Sequence, residues 1–185
     1  MAVGSQGRLP PYHTKHSLKK RPPGGKGRYF GCLRGGQKGA DMEYSDTVKL
    51  LRECDAGTKM AVLSIDEVLE KVGDSQMKEL LQESRNHHEK LGDEIHSMLN
   101  SHGTAQKEPT AIARGMSWMK VNMKMGMDNS DAMVADLITD GCNMGVKSLN
   151  KYLNQYKVAD DKSKKMCTEL ISIEEKLCKD LKQYL

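Results

Sequence analysis

Residues 74–101 read DSQMKELLQESRNHHEKLGDEIHSMLNS, and the spacing of their apolar side chains decides the fold. Met77, Leu80, Leu81, Ser84, His87, His88, Leu91, Ile95 and Met98 follow one another mostly in steps of three and four, the period of one helix face. The turn Gly73-Asp74-Ser75 precedes this run, and its end is expected between Ser101 and Gly103. Upstream, Leu51, Cys54, Ala61, Ile65, Val68 and Val72 trace a second stripe, broadened by Leu50, Val62 and Leu69. Ser45 or Asp46 is the expected N-cap of that first helix, and Gly73 its stop. So short a connection sets the two helices antiparallel. Gly57 interrupts the first stripe at a cost of about 1 kcal/mol relative to Ala, which predicts close approach by a neighbour's backbone.

Downstream, a polar linker leads to Pro109, a residue suited to a first helical turn. The short helix predicted there carries Ile112, Met116, Met119 and Met123 in line, beside Trp118, Met125 and Met127. Such thioether density fits either gap-filling beneath a crossing helix or a pliable partner surface. Asp128-Asn129-Ser130 starts a further long helix with Met133, Leu137, Gly141, Met144, Ser148, Tyr152 and Tyr156 along one line. Gly141 and Gly145, one turn apart, would admit another helix closely. The last helix opens near Asp160 and shows Met166, Leu170, Ile173, Leu177, Leu181 and Tyr184. The expected fold is therefore all-α: an antiparallel four-helix bundle with a short crossover helix between the second and third long helices. That order is ferritin-like.

Composition agrees. Aromatic residues make up 4% of the chain while Met alone supplies 13 residues, a bias toward helix over strand. No apolar run approaches the length of about 18 residues that a membrane span needs. Cys32, Cys54, Cys142, Cys167 and Cys178 form no C-x-x-C pair, and the odd count suits reduced, mostly buried thiols in a cytoplasmic protein.

The formal charge of +4 averages two unlike segments. Residues 1–41 hold nine Lys and Arg against Asp41, a net of +8, which leaves −4 for residues 42–185. The acidic remainder disfavours general affinity for nucleic acid. Residues 1–41 also carry nine of the 17 glycines and four of the five prolines, so they are expected to be a disordered leader. Four readings compete for it: a plain disordered tail, a nucleic-acid arm through Lys19-Lys20-Arg21 and Tyr29-Phe30, an organellar transit segment, or a non-native extension with translation starting at Met42.

Several stretches resemble a bacterial ferritin-like family of unknown function, number twenty-three eighty-three in its catalogue. Leu50-Leu51-Arg52-Glu53-Cys54-Asp55-Ala56-Gly57 is similar to its first-helix opening, and Asp74 to Leu81 to its second-helix start. Arg114-Gly115-Met116-Ser117-Trp118-Met119-Lys120 resembles its crossover segment, and Gly141 to Leu153 its third long helix. The resemblance spans 42–185 and implies a ferritin-like bundle, with stress-related bacterial contexts. Cys142 stands where related sequences often place a Glu, so no family ligand is carried over.

A di-iron centre of this fold needs Glu-x-x-His on two helices. Neither occurs: Glu83 precedes Asn86, Glu89 precedes Gly92, and the last helix has no histidine. A reduced divalent-metal site (iron, zinc or manganese) from Glu83, His87, His88, Asp136 and Asp140 is the alternative, with N and O donors at one-turn spacings. No nucleophile elbow, P-loop or dinucleotide fingerprint is present. The expectation is a non-enzymatic helical protein without cofactor, acting by homo-oligomerisation or contact with a helical protein partner; the metal-binding protein is its rival.

Overall fold

The computed structural model describes residues 34–103 and 130–185, all within one compact unit. These residues form four helices, α1 (Arg34–Leu69), α2 (Ser75–Ser101), α3 (Asp131–Gln155) and α4 (Asp161–Leu181), closed by a 3-10 turn at Lys182–Tyr184. No strand occurs among the described residues, as the all-α reading requires. No helix of the described residues is long and apolar enough to cross a membrane. The short Met-rich helix expected from Pro109, and the leader as far as Leu33, lie outside the described residues.

Three starts obey local chemistry. Asp74 caps α2 by accepting from Met77 N at 2.8 Å, Ser130 caps α3 through Met133 N, and Asp160 caps α4 through Ser163 N at 2.6 Å. Gly103, at φ 66°, follows the end of α2 in the left-handed region open to glycine. The first helix departs from expectation, because it begins at Arg34 rather than at Ser45 or Asp46. Ala40, Met42 and Glu43 are good helix formers, and a nucleated helix gains one hydrogen bond per residue added, which outweighs a local cap preference. Thr47, next in line, instead accepts the Asp160 N–H on its Oγ1 at 2.8 Å and so anchors the start of α4.

Contacts at the ends fix the directions. Tyr44 Oη donates to the His102 carbonyl at 2.6 Å, placing the end of α2 beside α1's early turns, where Thr47 also meets Asp160. At the other end the Asp131 carboxylate accepts from Gly73 N and Asp74 N, both at 2.8 Å. Hence α1 and α2 are antiparallel, α3 and α4 are antiparallel, and α2 and α3 start at the same end. Helices α1/α2 and α3/α4 are the tightest pairs; α2/α4 and α1/α3 complete the square, and α1 also meets α4 across it.

The interior holds two apolar clusters, each fed by all four helices. One gathers Leu50, Leu51, Leu91, Ile95, Leu149 and Leu170, the other Ile65, Val68, Met77, Leu81, Ile138 and Leu181. The α3 line read from the sequence holds at Leu137 and Tyr156, which are buried, and elsewhere burial moves to neighbouring positions. Its buried residues are Val134, Ala135, Leu137, Ile138, Cys142 and Leu149, whereas Met133 and Met144 are exposed.

Candidate functional site

Between the two clusters runs a polar waist: Asp55, Thr58, Ser84, His88 and Glu174 are all buried there. Most are satisfied locally. Thr58 Oγ1 donates to the Asp55 carbonyl at 3.0 Å, and the Asp55 carboxylate accepts from Lys59 Nζ at 2.9 Å. Small residues let the helices close over this layer. A Cβ on Gly92 of α2 would come within 3.1 Å of Thr58 Oγ1, and one on Gly57 within 3.4 Å of a Leu170 methyl. The neighbour at Gly57 is therefore a side chain, not the backbone expected.

His88 is completely shielded from solvent. Its Nδ1 lies 2.8 Å from the Ser84 carbonyl oxygen, which can only accept, so Nδ1 carries a proton and donates. Nε2 has no hydrogen-bond partner, and Glu174 Oε1 stands 3.4 Å away, beyond a good hydrogen bond. Glu174, on α4, is itself nearly buried. Gly145 of α3 leaves room for its carboxylate, since a Cβ there would lie 3.3 Å from Oε1.

A cavity of about 180 Å³ opens onto this pair between α1 and α3. Met60, Ala61 and Ile65 form the α1 wall, Gly141 and Met144 the α3 wall, and His88, Glu174 and Cys142 the polar floor. No neighbouring atom lies within 4 Å of where a Gly141 Cβ would sit, so this glycine widens the space. Burial first, and then the Glu174 carboxylate, push the Cys142 thiol far up from its ordinary value. A thiol so held is a poor nucleophile. At the far end Tyr152 meets Glu53, and burial followed by that carboxylate raises the phenol.

Of the five residues singled out as metal ligands, only His88 belongs to this site. Glu83 faces solvent 3.8 Å from Lys176 Nζ, and exposed His87 borders the separate groove between α2 and α4. Asp136 and Asp140 are exposed on α3, on the side away from its buried line. Each residue of a helix turns about 100° from the last, so His87 and His88 cannot share one inward direction. No group of three His, Cys, Asp or Glu is placed to hold a metal ion among the described residues. Glu174 escaped the sequence reading, although a signal existed: it stands one turn from both Leu170 and Leu177, inside the apolar line of the last helix.

No protein-family profile, curated protein or solved structure matches the chain. Its site is therefore read from geometry alone. The arrangement places an imidazole and a carboxylate at the bottom of an apolar cleft, the form of a small-molecule site.

Proposed function

We propose that the chain is a non-enzymatic four-helix protein of ferritin-like helix order that holds a small ligand in the cavity between α1 and α3. The common starting end of α2 and α3, with 26 residues of chain between Gly103 and Ser130, supports that order. One observation carries the binding reading: the shielded, unpartnered Nε2 of His88 facing Glu174 at the cavity floor. Leaving a buried polar atom unmet costs about 1–3 kcal/mol, and an apolar side chain would fill the position without that cost. A ligand that completes the pair accounts for both the polar floor and the space above it.

The self-association expectation rested on the Met-rich segment and on the Gly141/Gly145 face. The Met-rich segment lies outside the described residues, while Gly145 accommodates Glu174 and Gly141 opens the cavity. Metal binding has less support: His88, Glu174 and Cys142 share the floor, but no group of three His, Cys, Asp or Glu among the described residues is placed to hold an ion.

The test is methyl-labelled NMR of the full chain against a panel of benzene-sized compounds. Binding should shift the Met60 and Met144 methyls, which line the cavity, and leave exposed Met42 unmoved. Shifts confined to Met42 and Met133, or none at all, would sink the reading. Stoichiometric iron, zinc or manganese in tag-free protein, lost on His88→Ala, would replace it with the metal site.

A further inference from the structure

Resting on that cavity reading, we propose that the ligand is a small organic cation, a primary amine on an apolar body, whose ammonium seats between His88 Nε2 and the Glu174 carboxylate. The charge of the walls is one-sided. Glu53 and Glu174 line the cavity, and no Lys or Arg does so among its described lining residues. The nearby Lys59 is held by Asp55 at 2.9 Å, and Lys176, on α4, by Asp180 at 3.0 Å. A buried carboxylate is stable only with a compensating donor or charge, and apart from His88 itself, 3.4 Å away, no cationic side chain lines the cavity among the described residues.

The floor also specifies the donor geometry. With Nδ1–H committed to the Ser84 carbonyl, a ligand donor at this floor requires Nε2 as an acceptor, and Glu174 presents lone pairs 3.4 Å away. Because Nε2 is shielded, an ammonium that seats here parts the His88–Glu174 pair and then meets both acceptors with two of its three N–H bonds. A hydroxyl has one donor and satisfies one of the two acceptors. A carboxylate ligand meets repulsion from both.

Size sets the body. A cavity of roughly 150 Å³ accommodates one benzene ring, and this one measures about 180 Å³. Met60, Ile65 and Leu137 give it apolar walls, and the space between Gly141 and α1 leads outward. The class that fits is an aryl or cycloalkyl methylamine of roughly six to eight carbons.

The experiment titrates the full chain with benzylamine, benzyl alcohol and benzoate at neutral pH, read by the Met60 and Met144 methyl signals and by calorimetry. Benzylamine should bind at least about tenfold tighter than benzyl alcohol, which corresponds to about 1.4 kcal/mol, and benzoate should not bind. Glu174→Gln should erase the preference for amine over alcohol while keeping alcohol binding, which also shows that the variant is folded. In the unaltered chain, contacts between the benzylamine methylene and the His88 ring protons should appear in cross-relaxation spectra. Equal binding of amine and alcohol overturns the cation inference and leaves the cavity reading standing. Tighter binding of benzoate, or a methylene that contacts Met144 and not His88, overturns it too. If no member of the set binds, both readings fall.

Discussion

Two glycines that look alike in the sequence differ in what surrounds them. A helical glycine forfeits about 1 kcal/mol relative to alanine, so a Gly→Ala change gains stability wherever the new methyl fits. Gly141 has open space around it, and Gly141→Ala should stabilise the protein by about 0.5–1 kcal/mol in urea unfolding while narrowing the cavity. At Gly92 the new Cβ would meet the buried Thr58 Oγ1 at 3.1 Å, an oxygen already fixed by its bond to the Asp55 carbonyl. Gly92→Ala should therefore destabilise, by about 1–3 kcal/mol, as overpacked cores do. The cycle with Thr58→Ala makes this specific. Removing the hydroxyl leaves the Thr58 Cβ at 3.4 Å, an ordinary contact, so Gly92→Ala should become neutral or favourable in that background. Additive effects of the two substitutions would show that the crowding lies elsewhere.

Helix ends show how the elements are tied, and how far the sequence reveals them. Asp131 sits in the first turn of α3, yet its carboxylate caps another junction by accepting from Gly73 N and Asp74 N. Charged hydrogen bonds of this kind contribute about 1.5–3 kcal/mol each when buried and less when exposed. Asp131→Ala should cost about 1–3 kcal/mol in chemical denaturation, and Asp131→Asn less, because the amide keeps one acceptor oxygen. An unchanged midpoint for Asp131→Ala would mean that the α1–α2 turn is held by its own Asp74 cap alone. The starts of α2, α3 and α4 were legible because Asp74, Ser130 and Asp160 act on N–H groups three residues away. The bridge from Asp131 was not, since its partners lie 57 and 58 positions earlier. The same limit governs the site. Periodicity placed His87 and His88 alike on the apolar face, of which only His88 is buried, and pairing it with Glu174 requires knowing that α2 packs beside α4. The residues read as α3's apolar stripe, Gly141, Met144, Ser148 and Tyr152, turned out to be the cavity wall, because a helix bordering open space needs no continuous packing there.

At the scale of the molecule, the waist raises the question of whether the two apolar clusters unfold together. Cys54 lies in one cluster and Cys142 in the other, and both are buried free thiols. The hydrogen bond with Cys167 and then burial push the Cys54 thiol far up, and burial with Glu174 does the same to Cys142. Alkylation requires thiolate, so neither should react in the native state except through opening. All four helices pass through both clusters, so severing one cluster from the other would expose apolar surface on every helix. The two thiols should accordingly show the same protection free energy, within about 0.5 kcal/mol, and the same dependence on denaturant. The check is iodoacetamide labelling across sub-denaturing urea, with each cysteine followed by peptide mass spectrometry. Exposed surface scales with the urea slope. If Cys142 instead opens with a shallow slope and lower protection than Cys54, the waist parts locally at the cavity. Benzylamine should then restore protection at Cys142 and leave Cys54 unchanged, since only Cys142 lines the cavity.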